Sequence, residues 1–396
     1  MERETGVTRS RHFVCLLALL TPLVSSWPVS ARSQEACTPP TKTERPEIDP
    51  ATAEQASTVT LPPGEMPLSQ VLAAISKQTG NLIVDDRAEA GQTSDDVLVR
   101  VDFDKTPFWP ALDRVLDSAV LTVFDRGGER GLHLLNRPPA TSPRAAQVQY
   151  AGPFRLEPLR FEAVRDLRNA ERSSLQFFVE VRWEPRLQPF AIVHPLDAVR
   201  VLGPGGSTIA VEDVDEPIGT LIRSGANQTE LEIPIAVASR PLQRLEKISG
   251  KFLAAVPGPL EEFRFDDLPV AAKNGRPKPV SRNKNDTVIS IDEVRSNNDV
   301  WEVAVRIQFA KGGESIESRP AWMLGNEAYF VDVEGKRIEA GGYEENRTLR
   351  SGRGEVGINY FFDLPSGPEK LSFVYRTPVV IMELPVDYEF RDLQLP

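Results

Sequence analysis

Leu159-Arg160-Phe161-Glu162-Ala163-Val164-Arg165 returns later in the chain as Ile289-Ser290-Ile291-Asp292-Glu293-Val294-Arg295, and matching segments follow each copy at similar separations. An internal repeat of this kind sets the architecture before any single residue is read. The next run in each copy alternates strictly. In the first, Leu175, Phe177, Val179, Val181 and Trp183 alternate with Gln176, Phe178, Glu180, Arg182 and Glu184. In the second, Trp301, Val303, Val305, Ile307 and Phe309 alternate with Glu302, Ala304, Arg306, Gln308 and Ala310. A period of two sends one set to a core and the other to water, the pattern of an antiparallel sheet with one solvated side.

The match continues to the end of both copies. Gly206 and Ile209 answer Gly335 and Ile338 around turns, and Glu246-Lys247-Ile248-Ser249 answers Glu369-Lys370-Leu371-Ser372. Phe263-Arg264-Phe265-Asp266-Asp267-Leu268 then answers Tyr388-Glu389-Phe390-Arg391-Asp392-Leu393. Short alternating strands over roughly 110–120 residues per copy predict two duplicated immunoglobulin-like β-sandwiches. Their expected spans are residues 147–270 and 287–396, joined by an exposed linker at 271–286 that is rich in Lys, Arg, Asn and Pro.

Upstream, Met1 to Ala31 has the form of a secretion signal. Arg9 and Arg11 close a basic region, Phe13 to Val24 is an apolar run, and Val29-Ser30-Ala31 offers a cleavage site. A retained anchor is the alternative reading of this segment. The expectation is an exported chain, periplasmic or at the cell surface, with no transmembrane segment once the signal is removed, because no later run is long enough to span a bilayer. Cys37 is then the only cysteine, so neither an intrachain disulfide nor a cysteine zinc site is available. Residues 32–58 read as a disordered tether. The chain carries a formal net charge of −11. Losing Arg3, Arg9 and Arg11 with Glu2 and Glu4 leaves it slightly more acidic, which argues against nucleic acid and anionic lipid as partners.

Residues 59–140 read as a small α/β domain of the order βαβ-βαββ. Leu68, Val71, Leu72 and Ile75 follow helical spacing up to Gly80. Val97, Val99, Val101 and Phe103 line one face of a strand, and Pro107 opens a second helix whose inward residues are Phe108, Ala111, Leu112, Val115, Leu116 and Ala119. The phrases Met66-Pro67-Leu68-Ser69-Gln70-Val71-Leu72, Lys77-Gln78-Thr79-Gly80-Asn81-Leu82 and Val99 to Leu116 resemble the secretin/TonB short N-terminal domain (STN-like) over about 75 residues. That resemblance implies an adaptor that docks other envelope proteins. It does not extend to transport, because the chain has no outer-membrane barrel or pore segment. The whole layout also resembles exported planctomycete-type proteins of unknown function, which share phrases such as Pro107-Phe108-Trp109-Pro110-Ala111-Leu112-Asp113.

Residues that carry chemistry are sparse. There are three histidines in all; His133 and His194 fall in different expected domains, away from any nucleophile signature. Acidic doublets on a strand point to opposite faces, so most cannot share a substrate. Within Glu212-Asp213-Val214-Asp215-Glu216, Asp213 and Asp215 are the best calcium candidates, although an EF-hand's glycine turn and distal glutamate are missing. A solvated acidic loop is the plainer reading. Trp322 is the aromatic residue whose position the pattern does not fix, which makes it a candidate ligand or partner contact. No catalytic group and no cofactor is expected. The reading is an exported non-enzymatic protein that docks an unidentified envelope protein or serves as a scaffold. The alternatives are a carbohydrate-binding or glycan-processing sandwich, with a glycan as partner, and a structural spacer of the envelope.

Overall fold

The structure, a computed structural model, describes residues 52–127, 129–139, 141, 147–169, 173–212, 217–223, 225–236, 243–271, 277–285, 287–297, 300–309, 326–346 and 355–395. The expected signal and most of the expected tether lie outside these residues. The chain is mostly β.

The first unit runs β1 (Thr58–Pro67), α1 (Leu68–Thr79), β2 (Ile83–Asp85), β3 (Leu98–Pro107), α2 (Phe108–Ser118), β4 (Leu121–Phe124) and β5 (Leu132–Asn136). β1 and β3 form an antiparallel ribbon, and β5 lies between β2, its parallel neighbour, and antiparallel β4. Leu68, Val71, Leu72 and Ile75 of α1 share one core with Phe108, Ala111, Leu112 and Val115 of α2 and Val99, Val101 and Phe103 of β3. Gly80 ends α1 at φ 70°, a left-handed cap that its lack of Cβ makes easy. Pro107 stands just before α2, at φ −56° and ψ 149°, so it closes the strand and Phe108 opens the helix.

The remaining strands are β6 (Gln149–Ala151), β7 (Phe154–Val164), β8 (Ser174–Trp183), β9 (Ala191–His194), β10 (Arg200–Leu202), β11 (Thr208–Ile209), β12 (Ile218–Leu221), β13 (Gln228–Ile235) and β14 (Arg244–Pro257). They continue as β15 (Leu260–Phe265), β16 (Val280–Lys284), β17 (Thr287–Asn297), β18 (Val300–Phe309), β19 (Glu327–Val331), β20 (Arg337–Glu339), β21 (Gly342–Glu345), β22 (Glu355–Phe362), β23 (Ser372–Pro378) and β24 (Ile381–Gln394). Four sheets result, packed as two sandwich-like pairs, each closed over its own core. The alternation in β8 works as expected: Phe177, Val179, Val181 and Trp183 are buried. In β18, Val303, Val305, Ile307 and Phe309 are buried, but so are Glu302 and Ala304 on the face expected to meet water. Arg295 covers that face by gripping Glu302 with two bonds of 2.9 Å each.

The sheets do not follow the repeat along the chain. β14 pairs with β24, from Arg244 opposite Gln394 to Pro257 opposite Ile381, so the last strand of the second copy lies in the first sandwich. Reciprocally, β15, at the end of the first copy, pairs with β23 in the second sandwich. Leu384, Val386, Tyr388 and Phe390 belong to the first core, while Phe263 and Phe265 belong to the second. Each fully buried apolar side chain contributes about 1.5–3 kcal/mol. The four from β24 therefore amount to roughly 8 kcal/mol gross, comparable with the whole net stability of a typical domain.

Two segments differ from their expected character. Val280–Lys284, inside the expected linker, is the edge strand β16, hydrogen-bonded along β17 despite its charged composition. The end of the expected tether is packed: Ala53 is fully buried in the first sandwich's core, a place its single methyl fits.

Candidate docking surface and its buried supports

The α/β unit is fixed to the first sandwich by buried polar groups. Glu184, just past β8, is entirely buried and accepts four bonds: from Ser57 N at 2.9 Å, Ser57 Oγ at 2.6 Å, Asn81 Nδ2 at 3.0 Å and Arg186 Nε at 2.6 Å. A buried carboxylate is tolerated when its lone pairs are this fully engaged. The amide of Asn81 is used at both ends, since its Oδ1 accepts from Arg186 N at 3.0 Å. Nearby, Asp113 of α2 accepts from Tyr150 OH at 2.6 Å and Arg155 Nε at 3.0 Å. Burial disfavours the Arg155 charge, yet Asp113 and Glu157 outweigh it and hold its pKa above the ordinary value. Trp109 donates from Nε1 to Pro153 O at 3.0 Å, so the first-turn tryptophan of α2 also ties the two units together. The cavity left beside Asp113, Arg155 and Glu180 measures about 70 Å³. That is room for a few waters and too little for a sugar or peptide.

The two internal histidines are not brought together. His133 on β5 meets Asp86 at 2.7 Å, and Arg126 approaches the same carboxylate at 3.4 Å. His133 Nε2 is buried without a partner, closed off from any substrate. His194 on β9 contacts Tyr388 OH on β24 at 2.8 Å. Burial pushes the His194 imidazole down to about 4 and the Tyr388 phenol above its usual range. Asp213, Asp215 and Trp322 lie outside the described residues. Among the described residues, no three His, Cys, Asp or Glu side chains are grouped to hold a metal ion, and no helix is long and apolar enough to cross a membrane.

The sheet edges are more informative. An unpaired strand edge is a template for another chain. Here two exposed edges are covered by glutamine carboxamides that imitate a neighbouring strand. Gln78 accepts from Thr60 N at 2.9 Å and donates to Thr60 O at 3.1 Å on β1. On the outer edge of β24, Gln149 accepts from Glu389 N at 2.7 Å and donates to Asp387 O at 3.2 Å. Gln147 accepts from Arg391 N at 2.8 Å and also donates to Arg391 O. Pro385, lacking an N–H, continues the block along β24. β3 is treated differently. Among the described residues it has a strand neighbour on one side only, and Leu98 at its start is 64% exposed. The sequence reading missed this contrast. The glutamine spacing at 147 and 149, two residues apart and so on one side of a strand, was its only sequence trace.

Comparison with known proteins gave no match: no family model, no curated protein and no solved structure aligns with the chain.

Proposed function

We propose that the chain is an exported, non-enzymatic envelope protein whose α/β unit docks another envelope protein by strand addition along β3, with two duplicated immunoglobulin-like halves as its scaffold. The observation that carries this reading is the contrast between edges. Side-chain amides cover β1 at Thr60 and β24 at Asp387, Glu389 and Arg391, while among the described residues β3 has a strand neighbour on one side only and an exposed leucine. Strand addition draws affinity from main-chain hydrogen bonds and specificity from alternate side chains. The outward positions of β3, Leu98, Arg100, Asp102 and Asp104, are exposed and supply such a row. The strand–helix–strand, strand–helix–strand–strand order of residues 58–136 supports the likeness to secretin/TonB short N-terminal domains. The buried Glu184 and Asp113 contacts favour a scaffold, since they hold the docking unit at one orientation.

The test is capture from envelope extract by the chain without residues 1–31, beside Leu98→Asp, with a soluble-glycan array run in parallel. The expected outcome is a partner retained by the unaltered chain, weakened at least tenfold by Leu98→Asp, and no glycan binding. Glycan binding abolished by Trp322→Ala, without any protein partner, contradicts the proposal.

A further inference from the structure

The crossing between the sandwiches has an unusual feature: neither copy turns. β14 passes through Gly258-Pro259 into β15, and β23 passes through Val379-Val380 into β24. Arg244 faces Gln394 at one end and Phe265 faces Phe373 at the other, with the same register on both sides of the crossing. The crossing residues keep the ladder: Gly258 N donates to Val380 O at 2.9 Å, and Val379 N donates to Pro259 O at 3.3 Å. One antiparallel ribbon therefore runs through both sandwiches. Local chemistry selects this path. A two-residue hairpin needs residues that accept positive φ, which Val379-Val380 resists. Gly258 is required at the close approach, because a Cβ there meets Val380 O at 2.8 Å.

A second device distinguishes the two last strands. Tyr388 lies opposite Gly250, whose missing side chain leaves room for the phenol, and its hydroxyl reaches His194. The counterpart of Tyr388 in the first copy is Phe263, which has no hydroxyl to offer. Returning each strand to its own copy would leave His194 Nε2 buried and unpaired, a state that buried polar groups avoid.

We infer that residues 381–395 act as an intramolecular ligand: the first sandwich carries a strand-accepting site that its own repeat leaves empty, and filling it from the other repeat makes both sandwiches one folding unit. This does not depend on what the protein docks. Two measurements on the full chain test it. Amide hydrogen exchange compares β8, in the first sandwich, with β18, in the second. Val305→Ala, a cavity in the second core, is expected to speed the slowest amides of both strands by the same factor, tenfold or more. Faster exchange in β18 with β8 unchanged within twofold overturns the inference. In the other measurement, a labelled synthetic peptide of residues 381–395 is added to the full chain carrying Phe390→Asp. Uptake at least tenfold above that of the unaltered chain supports the site, and equal or absent uptake contradicts it. If Phe390→Asp prevents folding, the exchange measurement decides.

Discussion

His194 and Tyr388 each occupy a place that the other justifies. Neither was legible as a pair, because they lie on strands from different copies and a period-two pattern says only which face a residue takes. Tyr388→Phe removes the hydroxyl and leaves His194 Nε2 buried without its partner. An orphaned buried group costs about 1–3 kcal/mol, so the unfolding free energy is expected to fall by that amount, read as a lower denaturation midpoint with an unchanged slope. His194 also gives a pH signature. Burial pushes its folded pKa down to about 4, below the ordinary imidazole value of 6.5, so the unfolded chain takes up the proton first. Stability from keeping it neutral is complete above pH 6.5 and is lost as pH falls towards about 4, on the order of 3 kcal/mol in all. His194→Gln is expected to flatten the stability profile between those values relative to the unaltered chain. An unchanged slope contradicts the assignment.

At the scale of the element, the alternating runs in β8 and β18 were legible because burial of one face imposes the period directly. The helices α1 and α2 were legible for the same reason at a longer period. What overrode local reading was pairing. Val280–Lys284 has a linker's composition, yet β17 gives its backbone partners and it becomes β16. The buried outer residue Glu302 came from a similar cause, since Arg295 reaches across the strand pair to it. The edge caps make a prediction at this scale. Replacing Gln147 and Gln149 with alanine frees the backbone groups of Asp387, Glu389 and Arg391 on β24. Concentration-dependent association, absent from the unaltered chain, is expected by sedimentation. A double variant that stays monomeric at the same concentrations shows that the amides do not guard this edge.

For the whole molecule, the repeated sequence pattern predicted two similar halves and left open where the last strand of each lies in space. Phe263 to Leu268 and Tyr388 to Leu393 share the same alternation of core and solvent positions, so alignment cannot tell a strand that folds back from one that crosses over. The trace of the answer lay in one connection: Val379-Val380 lacks the residues of a tight hairpin, whereas Gly258-Pro259 would admit one. Crossing changes how the two similar stretches of sequence relate in space. Two copies that could have been independent modules become one body whose cores each hold the other's last strand. The α/β unit joins that body through Glu184 and Asp113, contacts that no sequence pattern announced because their partners lie far apart in the chain.

The pairing of β14 is the central claim, and a cross-strand disulfide in the full chain measures it directly, with Cys15 and Cys37 replaced by serine. Ser249 lies opposite Glu389, whose N–H turns away from β14 towards Gln149. They therefore form a non-hydrogen-bonded pair, close enough to be bridged. Ser249→Cys with Glu389→Cys is expected to oxidise to an intrachain disulfide. Ser249→Cys with Arg264→Cys, the counterpart position in the first copy, is expected to remain reduced. A disulfide in the second variant and none in the first would show that each last strand folds back onto its own copy.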